Sequence, residues 1–150
     1  MALPSPPFAG ACLCGAVRVL VTAPPLLTLA CHCKGCQKLT ASAFSMTTMF
    51  PAESVTVTGQ LVQGAMRDPA RDHRYCACCL GFVLSRIATA GGRINLRTSV
   101  LEAAAALPPF AEVMTEEKLP WVRLPVTRSF ARFPENAEAL QELMDAYAAQ

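Results

Sequence analysis

Eight cysteines fall in three short runs: Cys12 and Cys14 in ACLCG, Cys31, Cys33 and Cys36 in CHCKGC, and Cys76, Cys78 and Cys79 in YCACC. A Cys-x-x-Cys turn bends so that both sulfurs face one ion, and a Cys-x-Cys pair presents two sulfurs from one side of an extended segment. Cys76 with Cys79 fits the first pattern and Cys12 with Cys14 the second, so each pair supplies half a tetrahedron. CHCKGC differs: it offers Cys31, Cys33 and Cys36 within one turn eased by Gly35 and leaves a fourth position open. Metal sites closed by four protein ligands are usually structural, whereas three ligands leave room for water or substrate. The spacing therefore points to one closed and one open metal site. It does not decide the partners, because the first two clusters could instead share a closed four-cysteine site and leave Cys36 to the third. Cys78, flanked by Cys76 and Cys79, cannot easily share their direction and reads as a free thiol.

Other polar residues carry less. His32 sits between two candidate ligands and is expected to point away from the ion, and His73 reads as a strand or loop residue. Lys34 and Lys38 flank the middle cluster and could attract an anionic substrate, although lysines in a turn are usually solvated. Ser42, Ser45 and Thr47 read as ordinary strand hydroxyls, and Met46, Met49 and Phe50 as core. No Gly-x-Ser-x-Gly, His-Glu-x-x-His or phosphate loop occurs, so any chemistry rests with metal.

These residues need a scaffold, and the patterning predicts a mainly β one. Val17, Val19 and Val21 alternate with Arg18, Leu20 and Thr22, the period of a half-buried strand ended by Pro24-Pro25. Further short strands are expected over 44–50, 55–58 (stopped by Gly59), 61–63, 82–86, 94–98, 110–114 and 121–124. Gly91-Gly92 suits a hairpin turn. Ser99 to Leu107 predicts one or two helical turns ended by Pro108-Pro109. A longer helix is expected from Asn136 to Tyr147, capped by Asn136, with Leu140, Leu143, Met144 and Tyr147 on one face. The organisation expected is an arm over 1–8, one zinc-binding domain over 9–134, and a helix over 135–150 packed on it or flanking it.

At 150 residues, with 53% hydrophobic and 16% charged residues, the composition is that of one globular domain, apolar enough to allow a homodimer. No signal peptide is legible and no apolar run is long enough to span a bilayer, so a membrane role is not expected. Many cysteines without a secretory signal point to a reducing, cytoplasmic setting, where metal binding outranks disulfides. Seven ionised thiols and two divalent ions would take the formal charge from +2 to −1, which disfavours nucleic acid as a partner.

GACLCGAVRV, CHCKGC followed by Ser42-Ala43-Phe44, Gly59 after a strand, RYCACC and the late Trp121 occur in an order that resembles the glutathione-dependent formaldehyde-activating (GFA) family, also called the centromere-protein-V/GFA domain. The resemblance covers about residues 9 to 125. It implies a single-domain, zinc-bound β-tent of short antiparallel strands, with a structural zinc on Cys12, Cys14, Cys76 and Cys79 and a second, open zinc on Cys31, Cys33 and Cys36. It also implies a carbon–sulfur lyase acting on a thiol adduct such as S-hydroxymethylglutathione, with glutathione as the small-molecule partner. The alternative is a non-catalytic zinc module that mediates protein interaction. The chain departs from the family pattern after Cys79, where Leu80 stands in place of the usual glycine, and Cys78 is additional to it.

Overall fold

The computed structural model of the chain describes residues 2–64, 70–88 and 91–150. In chain order its strands are β1 (Phe8–Ala11), β2 (Arg18–Val21), β3 (Leu27–Cys31), β4 (Ser45–Pro51), β5 (Val55–Thr58), β6 (Leu61–Gln63), β7 (Arg71–Cys76), β8 (Phe82–Ile87), β9 (Arg93–Arg97), β10 (Ala111–Val113) and β11 (Arg128–Ser129). Helix α1 (Lys34–Thr40) follows β3, and helix α2 (Ala137–Ala148) ends the chain. The strands form two open sheets, a small one ordered β1-β2-β5 and a large one ordered β11-β10-β3-β4-β9-β8-β7-β6. The fold is thus mainly β with a C-terminal helix, as the patterning predicts.

Alternation decides which sheet faces meet. In β2, Val19 and Val21 are buried while Arg18 and Leu20 are exposed. They join Phe8, Phe50, Val83, Ile94 and Leu96 in a core that ties the small sheet to one face of the large one. Burying such side chains stabilises by about 1.5–3 kcal/mol each. The other face of the large sheet carries a second core, in which Leu27, Phe110 and Val113 pack with Leu143, Met144 and Tyr147 of α2. Asn136 caps α2 by accepting from the Ala139 N–H at 2.8 Å, and the Tyr147 hydroxyl lies 3.0 Å from Thr28 Oγ1 of β3. Gly59 sits at φ +97°, where a Cβ would come within 2.2 Å of the Ala16 carbonyl oxygen, so the turn into β6 requires glycine.

Several expectations need correction. The strand expected over 121–124 is absent: Trp121 is 70% exposed, and Pro120 and Pro125 flank a segment that cannot supply a continuous ladder of donors. The sheets are not wholly antiparallel, because β10 runs parallel to both β3 and β11. The turns expected over 99–107 are two short 3-10 segments, Thr98–Val100 and Glu102–Ala106. Strands β1, β3, β7 and β11 and helix α1 were not predicted, and Phe8, assigned to the arm, is buried in β1. Gly91 and Gly92 do take positive φ in the connection from β8 to β9, part of which lies outside the described residues. No helix among the described residues is long and apolar enough to cross a membrane.

Candidate metal centres

Cys12 and Cys14 lie in the turn that leaves β1, held by hydrogen bonds from Cys12 N–H to the Val17 carbonyl and from Gly15 N–H to the Cys12 carbonyl. Cys76 ends β7, and the turn to Cys79 is closed by the Leu80 N–H on the Cys76 carbonyl at 3.0 Å. These two turns meet although 62 residues separate Cys14 from Cys76. The sulfurs of Cys12, Cys14, Cys76 and Cys79 all lie within 4.8 Å of one another, with Cys12 to Cys14 at 3.6 Å and Cys14 to Cys76 at 3.8 Å. Backbone N–H groups point at the sulfurs: Val17 donates to Cys12 at 3.2 Å and Cys78 to Cys76 at 3.4 Å. The Val17 N–H and the neighbouring thiols bring Cys12 down to about 6, a setting that favours thiolate. Cys78 is exposed and outside the group.

The second centre grows from the end of β3. Cys31 is the last residue of that strand, and Cys33 caps α1, its sulfur accepting from the Cys36 N–H at 3.3 Å. The sulfurs of Cys31, Cys33 and Cys36 likewise lie within 4.8 Å of one another, and no fourth histidine, cysteine or carboxylate joins them among the described residues. The clusters therefore assemble as first with third and middle alone. Crowding splits the thiols: the hydrogen bond from Cys31, helped by Arg97, lowers Cys36 to about 5, while Cys31 is driven far up. Every cysteine is a free thiol. Such sulfurs can all ionise together only with a cation between them, so both donor sets suit a metal ion.

The fourth side of this triad is a cavity of about 610 Å³. Ile94 and Leu96 of β9 face the core, so Arg93, Asn95 and Arg97 alternate toward the cavity beside Thr47 and Met49 of β4. Arg97 is only 8% exposed, lies 4.5 Å over the Phe82 ring and feels the charge of Cys36 and Cys31. Leu140 and Gln141 of α2, with Phe133 before it, close the far wall. Ser45 and Thr47, read from sequence as ordinary strand hydroxyls, and Met49, read as core, all line this cavity. Lys34 and Lys38 are exposed and outside it, as is Ser42. His73, buried with Nδ1 2.7 Å from Ser85 Oγ, also reaches its wall. The polar stripe of RINLR was the signal that could have revealed Arg93, Asn95 and Arg97 from sequence.

His32 turns to the other side of the chain. Its Nε2 donates to Glu112 at 2.9 Å, and the same carboxylate accepts from Lys118 at 2.7 Å and from Ser129 at 3.0 Å. Burial pushes the Glu112 carboxyl up, but these three donors outweigh it and hold the group below its ordinary range. The network fixes the backbone between Cys31 and Cys33, which the Gln37 amide also grips through the His32 carbonyl at 2.7 Å.

No curated protein matches the chain. A crystal structure of a Rhodobacter sphaeroides protein is similar at 19% identity, over 63% of this chain and 87% of that one, with a TM-score of 0.48. The family described as glutathione-dependent formaldehyde-activating enzyme matches residues 7–117, which span both cysteine clusters, and the chain therefore belongs to that family.

Proposed function

We propose that the chain binds two zinc ions and acts as a carbon–sulfur lyase on a thiol adduct such as S-hydroxymethylglutathione. The observation that carries this reading is the asymmetry of the two centres: four sulfurs closing one, three sulfurs facing a cavity of about 610 Å³ in the other. Zinc suits the spacing, because tetrahedral zinc–sulfur bonds of about 2.3 Å place neighbouring sulfurs about 3.8 Å apart. The sulfurs of Cys12, Cys14 and Cys76 approach at 3.6 and 3.8 Å.

Cys12, Cys14, Cys76 and Cys79 would hold the structural ion, and Cys31, Cys33 and Cys36 the other. When bound there, zinc supplies one exchangeable position and favours the thiolate form of an incoming thiol. In the adduct-forming direction the thiolate adds to the carbonyl carbon of formaldehyde, the π pair moves to oxygen, and that oxygen takes a proton from water. Cleavage is the reverse. Arg97, buried beside Cys36 and facing the cavity, would supply the positive charge that a developing oxyanion needs. The walls from β4, β9 and α2 would bound the incoming thiol on the sides away from the cysteines.

The test is magnetisation exchange between formaldehyde hydrate and the glutathione adduct, followed by NMR with and without protein. The reading requires faster exchange with the native chain and none above background with Cys36→Ser. The competing reading, a structural module, predicts that added thiol leaves the spectrum of the cobalt-substituted protein unchanged, whereas an open site changes it.

A further inference from the structure

The walls of the cavity restrict its ligand more than the family's activity does. Arg93 and Arg97 lie on one face of β9, four residues and so about 13 Å apart along the strand. Arg97 faces the thiols of Cys36 and Cys31 and is matched by their charge. Arg93 has no such partner: among the described residues no carboxylate pairs with it, its Nε is buried without an acceptor, and its one polar contact is Nη1 at 3.9 Å from the Met144 sulfur. Burial alone bears on its charge. Arg93 is half-buried, and with its Nε lacking an acceptor it leaves a cation in the cavity wall that an anion can pair with.

Two negative features sharpen this. No aspartate or glutamate among the described residues lines the cavity, so no carboxylate there pairs with an ammonium group. Met49, Ile87, Val113, Phe133 and Leu140 make much of the remaining wall apolar. The last two come from beyond residue 117, where the family match ends. We propose that the cavity binds an apolar-bodied carboxylate, its acid group on Arg93 and its hydrocarbon against Met49, Ile87 and Leu140, in preference to a zwitterionic peptide thiol. The inference rests on the preceding reading only in placing the ligand's sulfur end at Cys31, Cys33 and Cys36.

Three thiols test it by calorimetry on the zinc-loaded chain, with the cobalt-substituted protein read in parallel: 6-mercaptohexanoate, the matched neutral 6-mercaptohexanol, and glutathione. One charge-assisted pair predicts that the acid binds about tenfold more tightly than the alcohol, with glutathione weaker than the acid. Arg93→Gln should reduce the acid to the affinity of the alcohol, and Arg93→Lys should keep part of the preference. Equal binding of acid and alcohol by the native chain, which needs no variant to fold, would overturn the proposal, as would glutathione binding as tightly as the acid. If the acid binds in an Arg93-dependent way while no thiol alters the cobalt spectrum, the proposal stands and the open-site reading falls.

Discussion

Leu80 stands where the resemblance leads one to expect glycine, and its backbone shows the consequence. It takes φ +56°, in the left-handed region, between the Cys79 ligand candidate and Gly81. A residue with a Cβ is disfavoured there by about 1–2 kcal/mol, partly offset in a glycine variant by the greater entropy of its unfolded chain. The side chain is 66% exposed, so little packing is lost by removing it. Leu80→Gly is therefore expected to stabilise the metal-loaded protein by about 0.5–1 kcal/mol, read from denaturant midpoints at constant slope. Glu112 gives the opposite case, a buried group whose charge matters. Its folded carboxyl lies below the ordinary value near ~4.3, so its contribution is complete above that pH and is lost as pH falls through the folded value. Glu112→Gln should cost about 1.5–3 kcal/mol at pH 7, and its gap from the parent should narrow below pH ~4 in unfolding curves with metal counted at each pH.

At the level of elements, the two cysteine clusters do different work because they join different parts of the chain. The four-cysteine cluster fastens the turn after β1, in the small sheet, to the end of β7, near the edge of the large one. The three-cysteine cluster joins only the end of β3 to the first turn of α1, a loop already closed by local hydrogen bonds. A long-range tie constrains the unfolded chain more than a local one. Cys79→Ser should therefore yield aggregated or metal-poor protein. Cys36→Ser should remain folded with about one metal per chain and lose thiol binding. Circular dichroism and a metal count on both variants check this, and equal unfolding by the two would remove the distinction between the sites.

For the molecule as a whole, the first core between the sheets is crossed by the four-cysteine knuckle, since Cys12 and Cys76 are themselves members of that core. Removing metal would leave crowded thiols in a packed region. Metal binding to structural thiolate sites contributes about 10–16 kcal/mol in small peptides, comparable with the ~5–15 kcal/mol stability of a domain. Strong chelation is expected to abolish cooperative unfolding, and a calorimetric transition that persists after complete metal removal would show that the sheets alone suffice. The second core, built by α2 on β3 and β10, explains why the same helix can also wall the cavity: Leu143, Met144 and Tyr147 anchor it while Leu140 and Gln141 reach the open space.

What the sequence determined is local. The cysteine spacings, the Val17-Val19-Val21 alternation and the capped periodicity of 136–147 each reflect a rule that acts within one turn or strand, and each was legible without coordinates. Strands β1, β3 and β7 were not, because four to six residues without a clear alternation gain their stability from neighbours distant in sequence. The same holds for the sites. Spacing left open which clusters join, and only the meeting of the β1 and β7 turns across the fold brought Cys12 and Cys14 to Cys76 and Cys79. Arg93 and Arg97 were not singled out from the sequence. Strand pairing on both sides of β9 turned Ile94 and Leu96 into the core, and the period-2 geometry of the strand then left the two arginines no direction but the cavity.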